Sequence, residues 1–218
     1  MQKNVNISMS VIRRLPRYYR YLKDLKDKNI LRISSRELSD KMGITASQIR
    51  QDLNCFGEFG QQGYGYNIEL LFGEISRILG LNNRNKIILI GAGNLGKAIV
   101  THMDFESKGF DLVGIFDNNE YVIGKKILGT EIRPNLELGK FCLENKPIAA
   151  ILCIPTDGLE DLIGTLVSYG IKAFWNFAHI DMQVNRDDII VENVHLSDSL
   201  MTLSYQIQQY LAENKENY

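Results

Sequence analysis

The stretch Lys86-Ile-Ile-Leu-Ile-Gly-Ala-Gly-Asn-Leu-Gly-Lys-Ala98 decides the fold of this chain. A short apolar run, typical of a buried parallel strand, leads into three glycines spaced as GxGxxG, and an apolar pattern of helical period follows. Gly91 permits a tight turn, Gly93 lets the backbone approach a pyrophosphate, and Gly96 lets the helix pack closely on the strand. Free N–H groups at the start of that helix would then face the phosphates. The stretch predicts a dinucleotide-binding turn.

A carboxylate at the end of the next apolar run supports this prediction. The run 111–116 leads into Asp117, about 20 residues beyond the last glycine. A carboxylate at this position accepts hydrogen bonds from the adenosine ribose and repels a 2′-phosphate, which favours NAD(H) over NADP(H). Two alternatives stay open: a turn that serves only packing, and a site for another nucleotide-containing ligand such as coenzyme A.

The later apolar runs predict the rest of a doubly wound parallel sheet. Strands are expected at residues 130–132, 147–154, 171–175 and 189–191, and helices from the glycine turn to about 106, at 136–145, from Thr156 or Asp157 onwards, and at 197–211. Ligands of such sheets lie beyond the carboxyl ends of the strands, where a nicotinamide ring would rest. The predicted cofactor-binding residues are Gly91, Ala92, Gly93, Asn94, Leu95, Gly96, Asp117, Pro155, Thr156, Asn176 and Phe177.

The charge of the chain is divided unevenly between its halves. Residues 1–85 hold 14 Lys and Arg against 8 Asp and Glu, a net charge of +6, whereas residues 86–218 hold 11 against 18, a net charge of −7. Such a division indicates that the first half meets a polyanion. Chance patchiness on two solvated surfaces is the alternative.

The composition of the 218-residue chain is that of an ordinary globular protein with one large or two small domains. No apolar run approaches the roughly 20 residues that span a bilayer, and the first residues lack the apolar core of a signal peptide. The cysteines, Cys55, Cys142 and Cys153, are scattered and lack metal-ligand spacing. They indicate reduced thiols in a cytoplasmic protein, and we expect neither a membrane association nor a metal site. A redox-sensing thiol is an alternative, but no paired cysteine motif supports it.

Two short helices in the basic half have the pattern of a helix-turn-helix. Ser34 and Glu37 form a capping box before the first helix, and Gly43 suits its end. Thr45 would cap the second helix, whose outward arc holds short polar side chains and one arginine. Amide side chains pair with adenine edges and arginine pairs with guanine or phosphate. Asp52 would sit nearer the buried side, as an ion-pair or capping partner for an arginine of this domain rather than as a base reader.

Two further segments flank this pair of helices. An amphipathic helix over residues 11–28 carries a basic face, with Pro16 marking a kink or a later start. After the second helix, four glycines interleaved with aromatics suit a tight β-ribbon, a wing with its tip at residues 61–62. The predicted DNA-binding residues are Arg14, Arg17, Tyr18, Arg20, Ser47, Gln48, Arg50, Gln51, Asn54, Gln61, Gln62 and Tyr64.

The sequence carries no catalytic constellation. Its three histidines, His102, His179 and His195, form no cluster with one another or with cysteine, and little chain remains for a substrate domain. The residues therefore favour a regulator over an enzyme. A small NAD-dependent oxidoreductase with an accessory domain, and a nucleotide- or coenzyme A-responsive regulator, remain as alternatives.

Taken together, these motifs resemble the Rex family of redox-sensing transcriptional repressors, over essentially the whole chain. The resemblance is carried by RLPRYYR (14–20), QIRQDL (48–53), FGEFGQQGYGY (56–66), GAGNLG (91–96), FD (116–117), NFA (176–178) and VENV (191–194). It implies a winged-helix DNA-binding domain (1–80), a Rossmann-type NAD(H)-binding domain (85–196) and a C-terminal domain-swapped helix (197–218) that dimerises the chain.

The resemblance also implies how the protein works. A Rex homodimer binds operator DNA, an inverted repeat, when NADH is scarce; NADH closes the dimer and releases DNA, while NAD⁺ competes without causing release. This chain departs from some members at Gln61 and Gln62, where many carry Lys or Arg, and at residues 118–120. His102 and His195 stand where some members carry Tyr and Asp of an interdomain switch.

Overall fold

The computed structural model describes residues 7–57, 60–61, 64–182 and 186–214. The chain divides into two compact units, and each is described by itself. The first unit is Met1–Asn83 with Ser107–Gly109, and the second is Arg84–Glu106 with Phe110–Tyr218.

The first unit combines five helices with a small sheet among its described residues. The helices are α1 (Met9–Ile12), α2 (Leu15–Asp27), α3 (Ser35–Met42), α4 (Ala46–Asn54) and α5 (Ile68–Ile78), and the strands are β1 (Arg32–Ile33), β2 (Gly60–Gln61) and β3 (Gly65–Asn67). The single helix expected over residues 11–28 is broken after Ile12. Pro16 lies in the first turn of α2, where a missing N–H costs nothing, so it marks a true helix start.

Local side chains fix the ends of α3, α4 and α5. The Ser34 side chain accepts a hydrogen bond from the Glu37 backbone N–H, and the Glu37 carboxylate accepts one from the Ser34 backbone, which confirms the capping box. Gly43 ends α3 in the left-handed conformation, with φ of 62°. Thr45 caps α4 through the Gln48 backbone N–H, and Asn67 caps α5. The helix-turn-helix expected from the sequence is therefore present.

The core of the first unit lies between α2, α5 and the helix-turn-helix, with the small sheet at its edge. Its buried side chains include Leu15, Tyr18, Leu22, Leu38, Met42, Ile49, Leu53, Leu71 and Ile75. β3 pairs antiparallel with both β1 and β2. A Cβ at Gly65 would lie 2.6 Å from the Ile33 carbonyl oxygen, so only glycine lets these strands approach. Glu58, Phe59, Gln62 and Gly63 lie outside the described residues.

The second unit is built on one seven-stranded sheet. Its strands are β4 (Asn85–Ile90), β5 (Phe110–Asp117), β6 (Lys126–Ile127), β7 (Thr130–Pro134), β8 (Ala149–Leu152), β9 (Ala173–Asn176) and β10 (Ile190–Asn193). Its helices are α6 (Asn94–His102), α7 (Leu138–Asn145), α8 (Leu159–Ser168) and α9 (Leu196–Glu213), with a short 3-10 turn at Asn135–Glu137. A second 3-10 turn, Glu106–Lys108, begins at the last residue of a segment of this unit and continues into the segment Ser107–Gly109 of the first.

The strand order is that of a Rossmann-type, doubly wound sheet. The strands lie in the order β10-β9-β8-β4-β5-β7-β6, and all neighbours are parallel except the edge pair of β6 and β7. Side chains of α7 and α8 pack on one face in a cluster with Phe116 and Phe174, and side chains of α6 pack on the other with Ile115 and Ile132. The chain reverses its winding between β4 and β8.

Two helix boundaries in this unit differ from the sequence-based expectation. α6 ends at His102 instead of near 106, because Met103 turns to an extended conformation and Phe105 enters the core. α8 begins at Leu159, so Thr156 and Asp157 do not cap it; Gly158 occupies that position with φ of 75°. The two-residue strand β6 was not expected, because so short a segment carries no periodicity.

The final helix, α9, is exposed along its whole length. It nevertheless carries the large apolar side chains Leu196, Leu200, Met201, Leu203, Tyr205, Ile207, Tyr210 and Leu211, each of them at least 48 % exposed. An apolar helix with no buried residue is not stabilised by packing within its own chain. No helix in the described parts of the chain is long and apolar enough to cross a membrane.

Candidate functional site

A crevice opens where the winding of the sheet reverses, at the carboxyl ends of β4, β5, β7 and β8. Its cavity measures about 420 Å³. The lining residues are Gly91, Gly93, Asp117, Asn118, Asn135, Cys153, Ile154, Pro155, Asp157, Gly158 and Leu162. Ligands of doubly wound sheets bind at this reversal point.

The three glycines of the turn have three different physical roles. Gly91 has φ of +94°, and a Cβ there would collide with the Cys153 carbonyl oxygen. A Cβ at Gly96 would collide with the carbonyl oxygen of Gly91, so this glycine lets α6 pack against the turn. A Cβ at Gly93 would meet nothing within 4 Å. Two glycines thus shape the turn, and the third leaves room for a ligand beside the backbone.

The first turn of α6 is suited to an anion. Gly93 is the N-cap of this nine-residue helix and has no side chain that could cap it. Asn94 and Leu95, which follow it, are both exposed. Uncapped N–H groups and the positive end of the helix dipole together favour a phosphate at this position.

Asp117 stands at the end of β5 beside the turn. Its Oδ2 accepts a hydrogen bond of 2.6 Å from the Ala92 backbone N–H, and its Oδ1 accepts one of 2.8 Å from the Asn119 backbone N–H. Each carboxylate oxygen has a further lone-pair site. The side chain is thus held at the crevice while keeping capacity for two ribose hydroxyls.

Several lining residues escaped the sequence-based prediction. Asn135 follows β7 and Cys153 follows β8, so the rule that ligands lie at carboxyl ends of strands could have found both. Burial raises the pKa of the Cys153 thiol to about 12, so the group is a neutral thiol at physiological pH. This leaves Cys153 a wall of the crevice and not a reactive group.

The structure does not bring every predicted cofactor residue to the crevice. Asn176 is 0 % exposed, its Nδ2 donates to the Ile180 carbonyl (2.9 Å) and to Asn193 Oδ1 (2.8 Å), and its Oδ1 accepts from the Ala178 N–H. Asn176 therefore secures the loop after β9, and its contact with the cofactor stays a prediction. Phe177 packs edge-on against Trp175, with ring centroids 4.6 Å apart, outside the crevice lining.

Thr156 is not among the residues that line this crevice, although its neighbours Pro155 and Asp157 are. It borders a second cavity of about 700 Å³ beside α8, which Ile180, Asp181 and Arg186 also line. Pro155 lines the crevice itself, as expected. Of the four residues predicted near the nicotinamide, Pro155 shares a cavity with the glycine turn, Thr156 borders the second cavity, and Asn176 and Phe177 line neither of these two.

The outward face of α4 is polar and open to solvent. Ser47, Arg50, Gln51 and Asn54 are all exposed, while Ile49 and Leu53 are buried on the opposite side. Arg50 donates from Nη1 to the Ser35 hydroxyl at 3.0 Å. This helix presents one guanidinium and short polar groups on one face, the chemistry that reads a DNA groove.

Behind that face lies a buried carboxylate, Asp52, which is 0 % exposed. Arg14 donates to it from Nε (2.8 Å) and Nη2 (2.7 Å), Tyr18 from its hydroxyl (3.0 Å), and Gln48 from Nε2 (2.8 Å). Burial alone would raise the pKa of Asp52, but these hydrogen bonds outweigh it and hold the pKa below its usual range. The expected ion pair with an arginine is confirmed.

This network engages two of the residues that were predicted to contact DNA. Tyr18 is 0 % exposed and donates its hydroxyl to Asp52, and burial followed by the Asp52 charge raises the pKa of that hydroxyl. Arg14 commits two of its guanidinium nitrogens to Asp52 and so positions α2 against α4. The contacts of both residues with DNA stay predictions. Arg17 and Arg20, on the same helix, are exposed.

The small sheet adds two exposed groups. Tyr64 is 70 % exposed, and the Arg32 guanidinium lies 5.9 Å above its ring. Arg32 was not expected at this surface, because a two-residue strand gives no sequence signal. Gln61 is described only through its backbone pairing with Gly65, and Gln62 lies outside the described residues.

Comparisons with known proteins agree with a DNA-binding first unit and a nucleotide-binding second unit. Residues 6–54 match the family described as putative DNA-binding protein N-terminus, and residues 82–180 match the CoA binding domain family. Over 209 residues, the chain is 54 % identical to the redox-sensing transcriptional repressor Rex of Thermoanaerobacter pseudethanolicus, covering 96 % of this chain and 93 % of that one. The Rex protein of Clostridium novyi is 51 % identical, covering 96 % and 100 % of the two chains. The chain belongs to the Rex family of redox-sensing transcriptional repressors.

Solved structures of another Rex protein, RSP, have the same fold. RSP with β-NAD⁺ and operator DNA superposes with a TM-score of 0.87 at 54 % identity, covering 96 % of each chain. RSP with β-NADH superposes with a TM-score of 0.86 at 51 % identity, covering 97 % of this chain and 99 % of RSP. The chain is thus a member of a family of transcriptional repressors and not of a family of enzymes. In the described residues, no group of three His, Cys, Asp or Glu side chains could hold a metal.

Proposed function

We propose that this Rex chain represses transcription according to the NADH/NAD⁺ ratio. It binds operator DNA when NADH is low and leaves it when NADH binds. The observation that supports this most is the crevice, in which Gly93 leaves space beside an uncapped helix end and Asp117 stands ready for a ribose. RSP, its relative, binds both β-NAD⁺ and β-NADH.

In this proposal the turn from Gly91 to Gly96 holds the pyrophosphate and Asp117 holds the adenosine ribose. Pro155 lies on the nicotinamide side. NAD⁺ and NADH are effectors that leave chemically unchanged, so the crevice needs no general base. The cofactor domain extends over residues 85–196, after the DNA-binding domain at 1–80.

The DNA-binding surface that we propose is the outward face of α4 with the exposed basic side of α2 and the wing. Its members are Arg17, Arg20, Ser47, Arg50, Gln51, Asn54, Gln61, Gln62 and Tyr64. Gln48 also lies on this surface, but its side-chain amide donates a hydrogen bond to Asp52, so we propose that its backbone contributes to DNA binding. Arginine and amide side chains supply the phosphate and base contacts that operator binding requires.

We propose that the active species is a homodimer in the cytoplasm. The helix at 197–218 would be exchanged with the partner subunit, which would cover the apolar side chains that α9 exposes. A two-fold symmetric dimer reads an inverted repeat. Sedimentation of the full chain tests this: a species of twice the 24.9 kDa chain mass is expected, and a monomer at micromolar concentration would contradict it.

Fluorescence anisotropy on a labelled inverted-repeat operator tests the sensing function. NADH should weaken operator binding by about 5- to 150-fold, the usual range of coupling between two sites, while NAD⁺ should leave it nearly unchanged. Equal operator affinity with and without NADH would overturn the proposal. Asp117→Asn is the matched control, because it should retain operator binding and lose most of the response to NADH.

A coenzyme A-responsive regulator is the second candidate. The match of residues 82–180 to the CoA binding domain family favours it, and a pyrophosphate with an adenosine would suit the same turn. Calorimetric titration with NADH, NAD⁺, NADPH and acetyl-coenzyme A separates the two. Tighter binding of acetyl-coenzyme A than of NADH would favour this second candidate.

A further inference from the structure

The Gln48 side chain links the buried carboxylate of Asp52 to the outward face of α4. Gln48 lies in the first turn of α4, which begins at Ala46, and it is partly exposed. Its Nε2 donates a hydrogen bond of 2.8 Å to the Oδ1 of Asp52. In a helix-turn-helix, the first residues of the second helix contact the edges of the bases. Gln48 therefore stands where bases would be read, with the nitrogen of its amide already engaged.

The carboxylate decides which end of the Gln48 amide faces inward. Against the cost of burial, hydrogen bonds from Arg14, Gln48 and Tyr18 hold the pKa of Asp52 below its usual range, so the group is ionised at physiological pH. An ionised carboxylate accepts hydrogen bonds and cannot donate one. Only the nitrogen of Gln48 can therefore face Asp52, and the Oε1 of Gln48 points away from it.

The Oε1 of Gln48 is open to solvent. No described residue donates a hydrogen bond to it, and it is not among the buried side-chain atoms that lack a partner. It lies on the helix that also exposes Ser47 and Gln51. A free glutamine can turn its amide and offer either a donor or an acceptor. Because Asp52 removes this choice, Gln48 presents an acceptor.

We propose that Gln48 is a specificity residue for the operator, whose Oε1 accepts a hydrogen bond from an exocyclic amino group in the major groove, and that Asp52 is the positioning residue that fixes this polarity. This inference rests on the proposed function, in which the outward face of α4 binds DNA. The oxygen of Gln48 then acts in addition to its backbone.

The pattern of base preference follows from the chemistry of the groove. Adenine and cytosine present amino donors in the major groove, at N6 and N4, whereas guanine and thymine present the acceptors O6 and O4. An acceptor therefore favours adenine and cytosine alike over guanine and thymine at one position of each half-site. A glutamine that was free to pair through both ends of its amide would favour adenine alone.

The test begins with the full wild-type chain without NADH, which selects duplexes from a pool in which both half-sites of an inverted repeat are randomised symmetrically. Each base pair in one half-site of the best duplex is then replaced by the other three, and dissociation constants are measured by fluorescence anisotropy. At one position, adenine and cytosine should give about 3- to 10-fold tighter binding than guanine and thymine, the worth of one neutral hydrogen bond. Gln48→Met should bring this ratio close to one there and leave the ratios at other positions unchanged.

A second variant tests the role of Asp52. Arg14→Met with Asp52→Leu removes the carboxylate together with its ion-pair partner, a replacement that is often neutral or stabilising. The amide of Gln48 remains but can turn, so the same ratio should fall towards one. A lost phosphate contact would weaken all duplexes equally and would not change the ratio. Tyr18→Phe is the matched control, because it removes another donor to Asp52 but leaves the bond to Gln48, and it should keep the wild-type ratio.

The outcomes separate this inference from the proposed function. If the wild-type chain selects no duplex, the proposed function itself fails. If it selects one and Gln48→Met keeps every ratio, Gln48 serves only the fold and the inference is refuted. A preference for adenine with cytosine no better than guanine would refute the acceptor polarity, and a wild-type ratio in the double variant would refute the role of Asp52. Each ratio compares duplexes on one protein sample, so the fraction of folded protein cancels.

Discussion

Removal of the buried carboxylate of Asp52 should destabilise the first unit severely. In Asp52→Ala, the hydroxyl of Tyr18, itself 0 % exposed, loses its acceptor, and the Arg14 guanidinium loses two hydrogen bonds. Removing one member of a buried ion pair costs about 3–5 kcal/mol. The Arg14 side chain is 31 % exposed and regains some hydration, so we expect the lower end, about 3 kcal/mol.

Two optical probes can assign this loss to the first unit. The single tryptophan of the chain, Trp175, belongs to the second unit, whereas far-UV circular dichroism reports the helices of both. With a urea slope of about 1–1.5 kcal/mol per molar for so small a unit, the first transition should move by about 2–3 M. The transition reported by Trp175 should keep its midpoint. The protein concentration is held fixed in these measurements, because dimer formation makes the stability depend on it.

A second variant shows whether the ion pair or the shape of the site matters. Arg14→Met with Asp52→Leu replaces the pair by apolar side chains, which is often neutral or stabilising. The double variant should therefore recover most of the stability lost in Asp52→Ala. A loss below about 1 kcal/mol in Asp52→Ala, or a double variant no better than the single one, would refute the reasoning.

Three further predictions concern acid stability and the cofactor turn. Because folding lowers the pKa of Asp52, the ionised carboxylate contributes to the free energy of unfolding above its unfolded pKa of about 3.9. This contribution is lost as the pH falls through the lower pKa of the folded state, so acid should unfold the first unit below about pH 4. Gly93→Ala should leave the melting temperature unchanged, because its Cβ meets no protein atom, but should weaken NADH binding at least tenfold in a fluorescence titration, because that Cβ occupies the space of the phosphates. Gly96→Ala should lower the melting temperature, because its Cβ collides with the Gly91 carbonyl oxygen. Asp117→Ala should weaken NADH binding by about 10- to 150-fold, the worth of hydrogen bonds to a charged group, and retain operator binding.

Each of these three predictions can be contradicted by a separate result. In Asp52→Asn, the stability of the first unit should no longer fall with pH below about pH 4. If its dependence on pH is the same as in the wild-type chain, other carboxylates cause the acid unfolding. Equal melting temperatures for the Gly93 and Gly96 variants would mean that the crowding at Gly96 relaxes freely. Unchanged NADH affinity in Asp117→Ala would remove its ribose role.

The features that the sequence revealed are those whose causes are local. The capping box of Ser34 and Glu37 and the glycine turn each depend on residues a few positions apart, and both are present. Gly91, Gly93 and Gly96 could be assigned separate roles because the motif has a known mechanical logic. Asp52 could be placed near the core by helical periodicity alone.

The features that the sequence concealed depend on contacts between distant residues. Tyr18 and Tyr19 both suit the helical pattern, and only the Tyr18 hydrogen bond to Asp52, 34 residues away, decides which one is buried. Asn176 ends β9, where a ligand residue would lie, but its amide donates a hydrogen bond to Asn193, 17 residues further along the chain. Asn135 follows a strand and could have been found by that rule, but only the folded structure shows that it lines the crevice.

The neutral thiol of Cys153 bears on what such a sensor can report. Burial raises the pKa of this thiol to about 12, far above physiological pH, so very little of it is ionised, and the thiolate is the form that peroxides attack. We therefore expect an oxidant to leave the crevice wall intact, even where the cellular thiol pool is partly oxidised. At this wall of the crevice, the protein would then respond to the dinucleotide that binds and not to oxidation of the thiol.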